Sequence, residues 1–107
     1  MKKQPGICSP EKFLPKVSSL ISELLVTLGE DPTREGLQET PLRVAKMYRE
    51  ILSGYCDSSE PKITIFENKE GYDEMIIDEA YFYSLCEHHM IPFFGRAFIA
   101  YIPQKNI

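Results

Sequence analysis

The chain has 107 residues, 43% hydrophobic and 26% charged, an ordinary balance for one soluble globular domain with a modest core. Its 16 acidic and 12 basic residues give a net charge of −4, which argues against a general nucleic-acid binder but allows a small anionic ligand at a local cluster of positive charge. No apolar run approaches the ~18 residues of a membrane helix, and the charged start Met1–Gly6 lacks the apolar stretch of a signal peptide, so a cytoplasmic location is the default expectation.

The start, Met1 to Ser9, is polar with Pro and Gly and is expected to fray. Ser9-Pro10 reads as a cap followed by a first-turn proline. Behind it Phe13, Leu14, Val17, Leu20, Ile21, Leu24, Leu25 and Leu28 recur at helical spacing and form one stripe. Pro15 is the misfit: either the helix begins near Leu14, with Pro15 in its first turn, or it is kinked there. Gly29 is a natural stop. Asp31-Pro32 reads as a second cap opening a short helical turn that Gly36 ends, and Thr40-Pro41 as a third. The third opens a helix with Val44, Ala45, Tyr48, Ile51 and Leu52 buried, Arg43, Lys46, Arg49 and Glu50 on the other face, and Gly54 as its end.

The character changes near Pro61. Ile63–Phe66 is β-branched and aromatic and reads as a strand, and Asn68–Tyr72 as a turn. Met75–Ile77 and Tyr81–Leu85 read as extended pieces separated by Asp78-Glu79. Arg96–Ile102 is a strand with apolar residues on both faces, a pattern usually covered by a helix layer or a partner chain. Helices first and strands after predict an α+β fold in a single domain, 1–107, with a helical part over about 10–54 and a strand part over about 61–103.

The chemistry-bearing residues cluster in Cys86-Glu87-His88-His89. The chain has only two histidines, and chance would make them adjacent in roughly 2% of random placements. Cys86 and His89 have the spacing that lets a thiolate and an imidazole reach one ion at a strand-to-loop corner, a donor mixture zinc accepts. Alternatively, Cys86 is a buried small hydrophobe and His89 a satisfied core histidine. His88, beside such a centre, has the chemistry of a general acid or base near neutral pH, or is a loop histidine in water. Pro92 and Gly95 fit a tight turn, and Phe93 and Phe94 would wall the site. A catalytic zinc needs a further protein ligand. Cys8 and Cys56 are the other thiols, one in the start and one in a helix-exit loop, and neither has a ligand-like context. Glu87 points the other way if the segment is extended. The odd cysteine count without a secretion signal does not suggest a disulfide framework.

Two blocks carry a family resemblance. SLCEHHMIPFFGRAFIAYIP, Ser84–Pro103, resembles the zinc-site signature of GTP cyclohydrolase I, and LGEDPTREGLQETPLRVAKMY, Leu28–Tyr48, resembles the helix-turn-helix before that family's first strands. The intervening PKITIFENKEGYDEMIIDEAYFYS is similar in kind, so the resemblance runs from about Phe13 to the end. It implies zinc-dependent hydrolysis of GTP to 7,8-dihydroneopterin triphosphate and formate, the entry to folate and other pterin pathways. Cys86 and His89 would be zinc ligands and His88 the proton-transferring residue. Arg43 and Lys46, one turn apart on one helix face, match positions that help hold the triphosphate in a neighbouring subunit's site; by residue pattern alone they read as a solvated face. The implied fold is the tunnelling fold, assembled in the family into a toroidal homodecamer. The family pattern continues past the position of Ile107 with the third zinc ligand, a second catalytic histidine and the guanine-reading carboxylate. The residues therefore also read as a non-catalytic truncated subunit, a metal-binding or oligomerisation module, or a remnant that does not fold stably.

Overall fold

The structure is a computed structural model that describes residues 5–107; the expected fraying of Met1–Gln4 lies outside the described residues. The chain divides into two compact units, Met1–Glu60 and Pro61–Ile107. The first is helical and the second is an antiparallel hairpin, so the α+β order expected of part of a tunnelling fold is the order observed. Among the described residues no helix is long and apolar enough to cross a membrane.

In the first unit, helix α1 spans Pro10–Thr27 with Ser9 as its N-cap residue and Pro10 in its first turn. The Ser9 carbonyl accepts from the amides of Lys12 and Phe13, while its hydroxyl donates to Glu11 Oε2 at 3.2 Å instead of capping a backbone N–H. The helix continues through Pro15, which forgoes the bond to the Glu11 carbonyl, so the helix does not wait until Leu14 to begin. It ends at Gly29, whose φ of 91° is open to glycine and strained for other residues. The Gly29 amide reaches the Val26 carbonyl and the Glu30 amide the Leu25 carbonyl, both at 2.9 Å, a Schellman pair that satisfies two otherwise orphaned acceptors. The apolar stripe is wider than the surface it meets. Phe13, Leu14, Val17, Ile21 and Leu25 are half-buried, whereas Leu20, Leu24 and Leu28 are exposed.

The helical turn expected at Asp31-Pro32 is a run of non-helical turns. There Asp31 Oδ1 accepts from the Thr33 amide at 2.9 Å and the Thr33 hydroxyl at 2.6 Å, a local competitor of helix geometry. These bonds hold the exposed Asp31 carboxyl below its ordinary pKa of 3.8: the Thr33 hydroxyl contributes first, the Thr33 amide second, and the Arg34 charge least. Helix α2 spans Thr40–Ile51, with Thr40 inside it and Glu39 at the cap position. Thr40 stands inside the helix and makes no capping bond, so the expected cap is not formed; its hydroxyl donates to the Gly36 carbonyl at 3.4 Å. Pro41 and Ala45 are buried, and Val44, Tyr48, Ile51 and Leu52 are half-buried. Arg49 departs from the expected solvent face: it is half-buried, and its Nε–H donates to the Ile7 carbonyl at 3.1 Å.

That contact belongs to an ordered segment, Gly6–Ser9, where the expected fraying is not observed. Gly6–Cys8 forms a 3-10 turn with Ile7 buried. Cys8 is disulfide-bonded to Cys56, which lies between two further 3-10 turns, Ser53–Tyr55 and Asp57–Ser59. The expectation of no disulfide is thereby corrected. Counting thiols says nothing about which of them folding brings together, and here the Cα atoms stand 5.6 Å apart, inside the span a disulfide bridges.

In the second unit, strand β1 covers Ile76–Leu85 and strand β2 covers Pro92–Tyr101, paired antiparallel from Ile76↔Tyr101 to Leu85↔Pro92. Asp78-Glu79 does not interrupt β1. Glu79 lies opposite Phe98, and its carboxylate meets Arg96 at 3.1 Å on the same face, where the Arg96 guanidinium also sits 5.7 Å from the Phe98 ring centre. Ile63–Phe66 is not a separate strand. The pairing starts later, where Phe66 and Ile107 exchange both backbone bonds at 2.8 Å and the Asn68 amide donates to Lys105 O at 3.0 Å. The turn at Asn68–Tyr72 forms around one side chain: Asn68 Nδ2 donates to the carbonyls of Tyr72 and Gln104 at 2.8 Å, and Oδ1 accepts from the Tyr72 amide at 2.9 Å. The two-sided apolar pattern of β2 is present in the sequence, and Phe98 and Ile99, on opposite faces, are 64% and 59% exposed.

Candidate functional site

The ladder positions the Cys86–His89 corner. Leu85 and Pro92 are the last pair, so the chain must reverse over Cys86–Ile91. The Cys86 amide donates to Ile91 O at 2.9 Å, extending the ladder by one bond, and the Met90 amide donates to Cys86 O at 2.7 Å, closing a single helix-like turn. Met90 has φ 56°, the left-handed conformation that lets such a turn rejoin a strand. Glu87, His88 and His89 ride on the turn and face solvent, and Cys86 is half-buried at its base as a free thiol.

The structure therefore places Cys86, His88 and His89 together on one short corner. The two imidazoles stand edge to face, ring centres 6.3 Å apart. The aromatic wall differs from expectation. Phe93 lies within β2 and packs edge-on against Phe82, ring centres 6.1 Å apart, while Phe94 is 89% exposed. Gly95 is not a turn residue either. It pairs with Phe82 inside the ladder, and a Cβ there would meet the Phe82 ring at 3.2 Å, so its small size makes room for that ring.

Zinc's preference for mixed sulfur and nitrogen donors fits Cys86 and His89. A centre with three protein ligands needs another donor, and among the described residues no three His, Cys, Asp or Glu side chains converge to hold an ion. Cys8 and Cys56 have no thiolate to offer while bonded to each other. The fit is thus to two ligand positions and not to a complete centre. Arg43 and Lys46 are exposed on α2, and among the described residues neither has an ion-pair partner, so the guanidinium and the ammonium are both open to an anion. Residue-type reasoning missed Met90. Methionine carries no signal for a left-handed backbone, and only the need to reverse the chain in this loop points to it.

Two comparisons bear on what this corner belongs to. The GTP cyclohydrolase I family profile matches residues 17–107, and the chain belongs to that family. Among curated relatives, GTP cyclohydrolase 1 of Bartonella bacilliformis is 50% identical over 96 residues, covering 88% of this chain and 47% of that protein. The enzyme of the same name from Sulfurihydrogenibium sp. is 50% identical over 93 residues, 86% of this chain and 48% of its own. That of Brucella canis is 44% identical over 107 residues, 98% and 47%. The chain spans about half the length of the curated relatives it matches.

Proposed function

We propose that this chain carries the Cys86 corner of a GTP cyclohydrolase I, which hydrolyses GTP to 7,8-dihydroneopterin triphosphate and formate for pterin and folate synthesis. The observation that carries the reading is the hairpin corner, which sets a free thiol, Cys86, and the adjacent imidazoles of His88 and His89 on one loop within the family-matched region. In this reading Cys86 and His89 hold zinc together with a donor from outside the described residues. Bound zinc supplies the Lewis acidity that makes water a nucleophile at neutral pH. His88, exposed beside them, takes and returns the protons of ring opening. Arg43 and Lys46 offer charge to the triphosphate of a site shared between subunits, as a cytoplasmic homo-oligomer, a decamer in the family, would provide. Both units then belong to one domain that needs further chain for activity. A two-donor corner holds zinc weakly, which favours a non-catalytic, metal-binding role for this chain alone.

The test is to join residues 1–107 to the portion of the Bartonella bacilliformis relative that follows the matched region, and to assay the fusion and the chain alone with GTP and zinc. Pterin fluorescence and formate are expected from the fusion and not from the chain. Cys86→Ser or His89→Ala should abolish both products and lower bound zinc. His88→Ala should keep the zinc and lose about 10²-fold or more in kcat. Arg43→Ala with Lys46→Ala should act mainly on KM. A folded, zinc-loaded fusion that leaves GTP intact sinks the reading.

A further inference from the structure

The Cys8–Cys56 cross-link has no part in the chemistry proposed above, and it joins segments 48 positions apart in sequence. It ties the 3-10 turn Gly6–Cys8 to the turns that follow α2. Besides the disulfide, among the described residues the segment Pro5–Ser9 is held by the Arg49 bond to the Ile7 carbonyl at 3.1 Å and by the burial of Ile7, which is 9% exposed. Among the described residues, one side-chain hydrogen bond and one buried isoleucine are a weak hold for such a segment. The covalent tie is the strong one, and it alone responds to redox conditions.

The cross-link is also reachable. Cys8 and Cys56 are both half-buried, and they border an open concavity of about 820 Å³ whose wall includes Ser9, Lys12 and Ser58. A small dithiol can enter such a space, and the Lys12 ammonium on the same wall favours the approach of its thiolate.

We propose that Cys8–Cys56 is a redox-operated clasp that fixes the segment Pro5–Ser9 to the end of α2 when oxidised and lets it go when reduced by a dithiol. A thiolate of the dithiol attacks one cysteine sulfur, forming a mixed disulfide and breaking the Cys8–Cys56 bond. The departing cysteine thiolate takes a proton. The second thiol of the reagent then attacks the mixed disulfide, and the other cysteine leaves as a thiol. The protein gains two electrons and two protons, and the dithiol loses the same and becomes a cyclic disulfide. A disulfide reagent of the same class runs the steps in reverse and closes the clasp.

The experiment equilibrates the full chain in graded mixtures of reduced and oxidised dithiothreitol, counts thiols after an acid quench, and follows amide hydrogen exchange in the same samples. Free thiols should rise from one, Cys86, to three in a single two-electron step. Exchange at Cys8 and Ser9, whose amides bond the Pro5 and Gly6 carbonyls, should speed about tenfold or more along the same curve. Exchange at Leu52, bonded to Tyr48 O, should stay constant. Cys8→Ser should show the fast exchange in every buffer, and the wild-type titration decides the matter should that variant not fold. Three free thiols in the fully oxidised buffer, a cross-link mapped to Cys86, or unchanged exchange at Cys8 and Ser9 on reduction would each overturn the proposal.

Discussion

Replacing Met90 by valine tests whether the backbone of the corner, and not only its side chains, determines the site. Met90 has φ 56° and is 56% exposed, so the exchange removes little buried surface and acts through conformation. An L-residue in the left-handed region costs about 1–2 kcal/mol, and a β-branched one more. Relaxing φ breaks the 2.7 Å bond from the Met90 amide to Cys86 O, a loss of about 1 kcal/mol net. Met90 already bears the general left-handed cost, so valine adds either its extra β-branched strain or the lost bond: local opening of the corner should become easier by about 1 kcal/mol, which is roughly a 5-fold rise in amide exchange at Cys86 and Met90. Met90→Gly should act in the opposite sense. It relieves the Cβ penalty and gives back roughly 0.5–1 kcal/mol through the more flexible unfolded chain, for a small net gain. Cobalt(II) added in place of zinc reports on the same geometry, because its thiolate absorption band requires Cys86. Its apparent affinity should fall for the valine variant in step with the exchange. Exchange in Met90→Val as slow as in the native chain, or faster exchange in Met90→Gly, would refute the assignment of strain to this residue.

Gly29→Ala should destabilise the helical unit by about 1 kcal/mol in urea unfolding followed by circular dichroism, because φ is 91° and nothing lies within 4 Å of the added Cβ; an unchanged midpoint would mean that the backbone relaxes freely there. Asp31 should titrate by NMR with a midpoint below 3.8. Since the folded value is the depressed one, its contribution to stability is complete above about 3.8 and is lost as pH falls through the lower folded value. Thr33→Ala removes the hydroxyl donor and keeps the amide, so the midpoint should rise only part of the way, and a native midpoint at or above 3.8 contradicts the Asx-turn account.

What the sequence conveys well is periodicity. The helical spacing behind Pro10 and behind Thr40, and the glycine at position 29, identify both helices and the first stop, because each depends on neighbours only a few residues away. The cluster Cys86 to His89 is conspicuous for the same local reason. The misses share a non-local cause. Whether Cys8 has a partner depends on a residue 48 positions away. Arg49 is drawn from the solvent face by the Ile7 carbonyl. Gly95 resembles a turn residue in sequence, but in the ladder it leaves space for a ring on the opposing strand. Leu20 and Leu24 carry the helical period and are still exposed, since period reports the direction a side chain faces and not what lies against it.

The β1–β2 ladder also governs which length changes the corner can survive. Its pairing is continuous from Ile76↔Tyr101 to Leu85↔Pro92, and side chains alternate between faces along it. Deleting a single residue within either strand inverts every face on one side of the deletion. Ala97 and Ile99 would then trade places with Phe98, and either the loop at Cys86 would change length or the Leu85–Pro92 closure would be lost. Removing one residue from each strand at directly opposed positions keeps the partners matched and leaves the reversal at Cys86–Ile91 untouched. The corner is thus buffered against paired changes in hairpin length and exposed to unpaired ones, so its evolution in length should proceed by matched steps in the two strands.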